Sequence, residues 1–306
     1  MKILVIGGAG FIGYHLVHDL LDAGHSVTVF GRSVQPARPL PNGVRYFSGD
    51  LSNTALLKDC LADIDAVAHL ASGTVPATGD KNPIADVNMN LNGTLSLLVA
   101  MEACNVKRLL FLSSGGTVYG PPQEVPISVN HPLAPICSYG IVKVAIESYL
   151  KLFERNAGLK PIVIRASNPY GSHQGNLGVQ GIIGTYLNLA SQQRPIEIWG
   201  DGSTIRDFIY VKDLTSLCVK SLESNKAGIY NGGSGLGTSV LAIAQLVQEI
   251  TGNPAPIVYK PQRNLDVPIS VLEVETTKAD FDWDPKVGIQ EGILRTWDWL
   301  NSAEKA

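Results

Sequence analysis

Lys2-Ile-Leu-Val-Ile-Gly-Gly-Ala-Gly-Phe-Ile-Gly13, followed by the helix-patterned apolar run from Tyr14 to Leu21, is the stretch from which the rest of the chain is read. Ile3 to Ile6 are an unbroken run of β-branched residues and Leu that ends in glycines, which predicts a strand buried on both faces. A strand that opens a helix through glycines is a phosphate site. Gly7 and Gly10 let a pyrophosphate approach the amides at the helix N-terminus, and Gly13 lets the helix lie close on the strand. The spacing is Gly-x-x-Gly-x-x-Gly rather than Gly-x-Gly-x-x-Gly, and a tight turn without a ligand is the competing explanation.

Outward from this turn, strands are predicted at Ser26–Phe30, Val44–Phe47, Ala66–Leu70, Arg108–Leu112 and Pro161–Arg165. Between them lie helical patterns, the longest over Pro83–Ala103 and Tyr139–Asn156. This alternation predicts an α/β fold, a doubly wound parallel sheet whose ligand crevice lies at the carboxyl ends of the strands. Beyond Ala166 the rhythm changes to short strands and loops, which predicts a smaller C-terminal α/β lobe. The expected division is residues 1–167, with 203–232 rejoining them because the apolar run Phe208 to Val211 looks like a further strand, against a lobe of 168–202 and 233–306.

The chain has 306 residues, 45% hydrophobic and 17% charged, with a formal charge of −3. It can bury a large core and offers no basic field for nucleic acid. Cys60, Cys104, Cys137 and Cys218 are scattered without a Cys-x-x-Cys pair, so reduced thiols are expected rather than a disulfide framework or a metal site. No apolar run reaches a membrane-spanning length and the chain opens directly on its first strand, from which a cytoplasmic location and no membrane partner are expected.

About 20 residues past the glycines, where a ribose-binding acid is expected, the sequence reads Gly31-Arg32-Ser33. An acid there accepts from the adenosine 2′-OH, whereas Arg32 can pair with a 2′-phosphate, which leans toward NADP over NAD. Asp50 can accept from the adenine amino group or cap the helix after it. His69, inside an apolar strand, reads as a core histidine. Tyr139-Gly-Ile-Val-Lys143 opens the second long helix, and four residues put both side chains on one face, aimed at the crevice. A phenol is a poor base near neutral pH, but a nearby ammonium and a positively charged nicotinamide favour the phenolate, and the same Lys can hold ribose hydroxyls.

These motifs together resemble the extended short-chain dehydrogenase/reductase family, and within it the nucleotide-sugar 4-epimerases with their dehydratase and ketoreductase relatives. The resemblance rests on Gly7–Gly13, Gly49-Asp50-Leu51, His69-Leu70-Ala71, Asn92-Gly93-Thr94, Ser113-Ser-Gly-Gly-Thr-Val-Tyr-Gly120, Ser138-Tyr-Gly-Ile-Val-Lys143, Asn168-Pro-Tyr-Gly171 and Arg206-Asp-Phe-Ile-Tyr-Val211. It implies a Rossmann sheet holding NAD or NADP through Gly7, Gly10, Phe11, Ile12, Gly13, Arg32, Asp50, Leu51, Leu70, Ala71, Tyr139 and Lys143. In such enzymes the sugar is oxidised at C4 while Tyr139 takes the hydroxyl proton, and an epimerase returns the hydride to the other face, which leans toward NAD.

The family usually places a Ser or Thr at the position of Gly115 to bond the C4 oxygen; here Ser114 or Thr117 is expected to take over. Dehydratases carry an Asp-Glu pair where this chain has Gly116 and Thr117, so 4,6-dehydration is disfavoured. The resemblance further implies that Asn168, Arg206 and Arg263 hold the pyrophosphate of a nucleoside-diphosphate sugar, that Trp199 stacks on its base and that Asp266 meets its ribose. The alternative is an NADPH-dependent reductase of a nucleotide-linked 4-keto-6-deoxy sugar, motivated by Gly31-Arg32 and Gly115. Relatives pair as homodimers through the two long helices in a four-helix bundle, and the same is expected here.

Overall fold

The computed structural model describes residues 1–174, 181–261 and 267–303. Strands β1 (Lys2–Ile6), β2 (Ser26–Gly31), β3 (Arg45–Ser48), β4 (Ala66–His69), β5 (Arg108–Ser114) and β6 (Lys160–Ala166) alternate with helices. The later strands are β7 (Asn168–Tyr170), β8 (Ile196–Trp199), β9 (Ile205–Tyr210), β10 (Gly228–Gly232), β11 (Gly237–Ser239), β12 (Ile257–Lys260) and β13 (Ile269–Ser270). The first six and β10 form one seven-stranded sheet in the order β10-β6-β5-β4-β1-β2-β3, and every pairing in it is parallel. The doubly wound sheet is therefore present as expected, and its order reverses beside β1, where a ligand crevice opens at the carboxyl ends of the strands.

Burial explains the sequence of β1. Ile3, Leu4, Val5 and Ile6 are all essentially inaccessible, Ile3 and Val5 facing one apolar core and Leu4 and Ile6 the other. The first core is closed by the helices Phe11–Asp22 and Val211–Glu223, the second by Thr54–Leu61, Gly93–Ala103 and Ser138–Ala157. A strand with helices on both sides has no polar face to alternate with.

Two expectations are corrected. The run Phe208 to Val211 does not enter the large sheet: β9 pairs with β7, β11 and β13 in a smaller one. Ile209 packs on the core of the large sheet while Phe208 and Tyr210 pack in the lobe, so alternate side chains serve two cores and an apolar run results without membership of the big sheet. The segment after it does rejoin that layer, through the helix Val211–Glu223 and β10.

Pro83–Ala103 is also not one regular helix. It is α over Pro83–Asp86, π over Val87–Asn92 and α again over Gly93–Ala103, with a short unpredicted helix Pro76–Gly79 before it. The wider turn lets Asn90 accept from the Gly73 amide at 2.7 Å and donate to both Thr74 and Asp86. Such turns occur disproportionately at functional sites. Among the described residues no helix is long and apolar enough to cross a membrane.

Candidate active site

The helix Phe11–Asp22 starts at Gly10 with no side-chain cap and no acid in its first turn, so its leading amides lack a partner of their own element. Gly7 has φ +87°, and a Cβ there would stand 2.9 Å from the Ala71 amide nitrogen; one on Gly13 would stand 2.1 Å from the Gly7 carbonyl oxygen. Glycine at position 7 lets the turn press on Ala71, just past β4, and glycine at position 13 lets the helix press on the turn itself. A cavity of about 980 Å³ opens over it, at the upper end of the roughly 300–1,000 Å³ usual for small-molecule sites. Gly7, Gly10, Phe11, Ile12, Gly13, Arg32, Asp50, Leu51, Leu70 and Ala71 all line it, and so do Ser114, Thr117, Tyr139, Lys143, Asn168 and Arg206.

Lys143 lies on the inner face of Ser138–Ala157, 4% exposed, and its Nζ donates to the Leu112 carbonyl at 2.8 Å. Burial pulls its pKa down to about 8, against the pull of Glu147 and Asp86, whose charges favour the ammonium. Its Nζ stands 5.5 Å from the Tyr139 ring centroid. The Tyr139 phenol is pushed well above its ordinary range by burial, then by Asp86 and Cys137, with a hydrogen bond to Ser72 opposing them. The expected phenolate draws on the charges of both Lys143 and a bound nicotinamide, and the protein supplies the first of these. Within the protein itself, desolvation and the buried Asp86 carboxylate both act to raise the phenol pKa.

Asp86 is fully buried and accepts from Thr74 and Asn90 on one oxygen and from Ser138, the residue before Tyr139, on the other, each at 2.7 Å. One turn beyond Lys143, Glu147 accepts from Ser113 at 2.6 Å and from Arg165 through Nε and Nη2 at 3.2 and 2.6 Å. Both members of that pair are almost completely buried. The Tyr-x-x-x-Lys spacing did not reveal these supports, because Asp86 and Arg165 come from other elements.

Gly115 is not part of the cavity wall. A Cβ there would meet Leu272 Cδ1 at 2.6 Å and the Arg165 carbonyl at 3.1 Å, so the space a hydroxyl would need is filled from behind. Ser114 and Thr117 face the cavity instead. Gly115→Ser is expected to overpack this contact and destabilise by about 1–3 kcal/mol; thermal melting should show the loss, with Leu272→Ala in the same chain restoring part of it.

Six buried side-chain polar atoms among the described residues have no protein partner. Four belong to cavity-lining residues: His69 Nδ1, Thr117 Oγ1, Ser167 Oγ and Gln174 Oε1. A buried polar atom without a partner costs free energy, and such atoms concentrated in one cavity point to a polar ligand that completes them. His69, buried with Nε2 2.9 Å from the Thr94 hydroxyl, has its pKa driven down to about 3 by burial and the Lys143 charge, so it is a neutral core histidine with one edge on the cavity. Ser167 and Gln174 escaped the sequence reading because an isolated Ser or Gln in a loop carries no spacing signal.

At the far end of the cavity, Asn168 donates from Nδ2 to the Asp207 carbonyl at 2.8 Å, and Arg206 donates from Nη1 to the carbonyls of Ile205 and Val267 at 2.9 and 2.6 Å. Trp199, on β8, is 43% exposed and stands outside the cavity wall. Arg263 and Asp266 lie outside the described residues. No group of three His, Cys, Asp or Glu side chains placed to hold a metal occurs among the described residues.

The family model described as the NAD dependent epimerase/dehydratase family matches residues 3–233. UDP-glucose 4-epimerase of Lactobacillus helveticus is 32% identical, over 100% of this chain and 98% of its own. Among solved structures, UDP-glucose 4-epimerase of Thermotoga maritima with UDP-glucose superposes with a TM-score of 0.95 at 32% identity, covering 99% of this chain and 100% of that one. UDP-glucose 4-epimerase of Thermus thermophilus in complex with NAD gives 0.93 at 33% identity, with the same coverage.

Proposed function

The chain belongs to the NAD dependent epimerase/dehydratase family, and from that premise we propose that it is a nucleotide-sugar 4-epimerase acting on a UDP-hexose or UDP-N-acetylhexosamine through a transient 4-keto sugar. The observation that carries this reading is the meeting, in one cavity, of the uncapped glycine turn, the Tyr139–Lys143 face and the buried hydroxyls without partners. NAD, which would be held over the glycine turn Gly7–Gly13 and beside Lys143, would supply the hydride acceptor and donor for C4 of the sugar. Tyr139 takes the C4 hydroxyl proton and gives it back; Lys143 holds the nicotinamide ribose and adds positive charge beside the phenol. Thr117 and Ser114 orient the C4 oxygen, and Asn168 and Arg206 receive the diphosphate.

For the cofactor we assign NAD. Arg32 donates from Nη1 to Met89 Sδ at 3.4 Å, and the Asp50 carboxyl is held below its ordinary range mainly by hydrogen bonds from Ser52, with the Arg32 charge the least of the causes. The assignment is supported by the family match and by the NAD complex of the similar Thermus thermophilus epimerase. The reductase alternative is set aside, since the relatives at this similarity carry the name of 4-epimerase. We also assign a cytoplasmic homodimer through the helices Gly93–Ala103 and Ser138–Ala157. Val99, Ile141, Tyr149 and Leu152 on these helices stay between 37% and 55% exposed, an apolar face that a four-helix bundle would cover. A purely monomeric species in sedimentation would refute that assembly.

The decisive experiment is conversion of UDP-glucose to UDP-galactose by purified protein without added cofactor, together with the mass of the dinucleotide released on denaturation. An epimerase regenerates its cofactor, so turnover without nicotinamide absorbance change is expected. Steady consumption of reduced nicotinamide with a keto sugar, and no epimer, would overturn the reading. The electrostatics give a further expectation. Asp86→Asn removes a negative charge that raises the phenol pKa, so the acidic limb of the kcat/KM profile should move to lower pH. An unmoved limb would show that Asp86 does not act on the base.

A further inference from the structure

The rim of the cavity over the glycine turn is crossed by a side chain that no motif marks. Arg38, in the connection between β2 and β3, lines the cavity and donates from Nη1 to the Ala9 carbonyl at 2.9 Å and from Nη2 to the His173 carbonyl at 2.6 Å. Ala9 is inside the glycine turn, and His173 follows β7. One guanidinium therefore ties together three segments far apart in sequence, directly beside the uncapped start of Phe11–Asp22.

The His173 end is firmly anchored. Its ring centroid lies 4.3 Å from that of Tyr14 and 4.8 Å from that of Trp299, and the carbonyl of Ser172 before it accepts from His15 Nε2 at 2.8 Å. Those two bonds use two of the five N–H donors of Arg38. The other cationic side chains in the wall, among the described residues, have contacts of their own: Arg32 donates to Met89 Sδ at 3.4 Å, Lys143 to the Leu112 carbonyl and Arg206 to the Val267 carbonyl. A diphosphate on the glycine turn carries two negative charges, and partial charges at a helix end do not neutralise them. Arg38 is the full positive charge placed at that turn.

We propose that Arg38 is the latch that holds the diphosphate of the dinucleotide on the glycine turn, its bridge from Ala9 to His173 setting how slowly the cofactor leaves. The proposal rests on the cofactor site assigned above and deepens it. An enzyme that hands the same hydride back within one turnover needs its dinucleotide to stay while sugars come and go, and a strap across the turn supplies that retention.

The test loads the full-length protein with radiolabelled NAD, adds excess unlabelled NAD and follows the label retained. Arg38→Ala should release the label roughly 10- to 100-fold faster than the natural protein. Arg38→Lys should fall between them, because an ammonium keeps the charge but lacks the planar fork that reaches two carbonyls. Inhibition of NAD binding by ADP should weaken in Arg38→Ala, and inhibition by adenosine should not. If Arg38→Ala fails to fold by circular dichroism, Arg38→Gln, which keeps a donor without the charge, gives the same readout. Equal retention in the natural protein and a folded variant overturns the latch while leaving the cofactor site intact. Loss of adenosine binding alone overturns the diphosphate assignment, and a natural protein that binds no NAD overturns the site and the latch together.

Discussion

Tyr139→Phe is expected to lower kcat by about 10²- to 10⁴-fold while the protein stays folded and keeps its dinucleotide. The phenol oxygen is the only heavy atom removed, and the ring stays in a buried site that raises the phenol pKa. The cost therefore falls on proton transfer rather than on packing. The sign of the pH dependence follows from the same observation. Because the phenol pKa is raised, the base form is scarce at neutral pH, so kcat/KM of the natural enzyme should climb as pH rises toward the phenol pKa in the loaded site. Tyr139→Phe should lose that climb along with the rate. Initial rates of UDP-sugar interconversion across pH, with the bound dinucleotide measured on the same samples, check both parts. Full turnover by the Phe variant would end the acid–base role.

Glu147→Ala is expected to cost about 3–5 kcal/mol of stability, the usual penalty for removing one partner of a buried ion pair. Arg165 is 2% exposed and would keep its charge without the carboxylate that meets its Nε and Nη2. Ser113 would lose its acceptor as well. Replacing both partners by Met should recover much of the loss, because the uncompensated charge disappears with the pair. A second consequence separates a positioning role from a purely structural one. Glu147 is one of two carboxylates that oppose the effect of burial on Lys143, so the Lys143 pKa should fall below about 8 in its absence. The ammonium would then be lost nearer neutral pH. Denaturant midpoints for the single and double variants test the first statement. The pH profile of the double variant tests the second: stability restored with a shifted profile is the expected pattern, and stability restored with an unchanged profile would leave Glu147 a structural role only.

The legible part of this protein was the part written in local spacing. Ile3–Ile6 followed by Gly7, Gly10 and Gly13 announces a doubly buried strand turning tightly into a helix, because a sheet covered on both sides has no polar face and only glycine fits beneath Ala71. Tyr139 and Lys143 were legible for the same reason: four residues on a helix fix a common face whatever the rest of the chain does. Position in a loop or across the fold was not legible. Spacing says nothing of Arg38 reaching Ala9 and His173, of Leu272 filling the room at Gly115, or of β9 dividing its side chains between two cores. The surroundings that raise the Tyr139 pKa also came only from the fold, since burial and Asp86 act there and neither is written in the Tyr-x-x-x-Lys spacing. Sequence by itself determined the backbone turn and the helix face, which short-range sterics dictate. The tertiary structure decided which distant groups share a cavity and how strongly they are desolvated, because those depend on contacts between residues that the chain order keeps far apart.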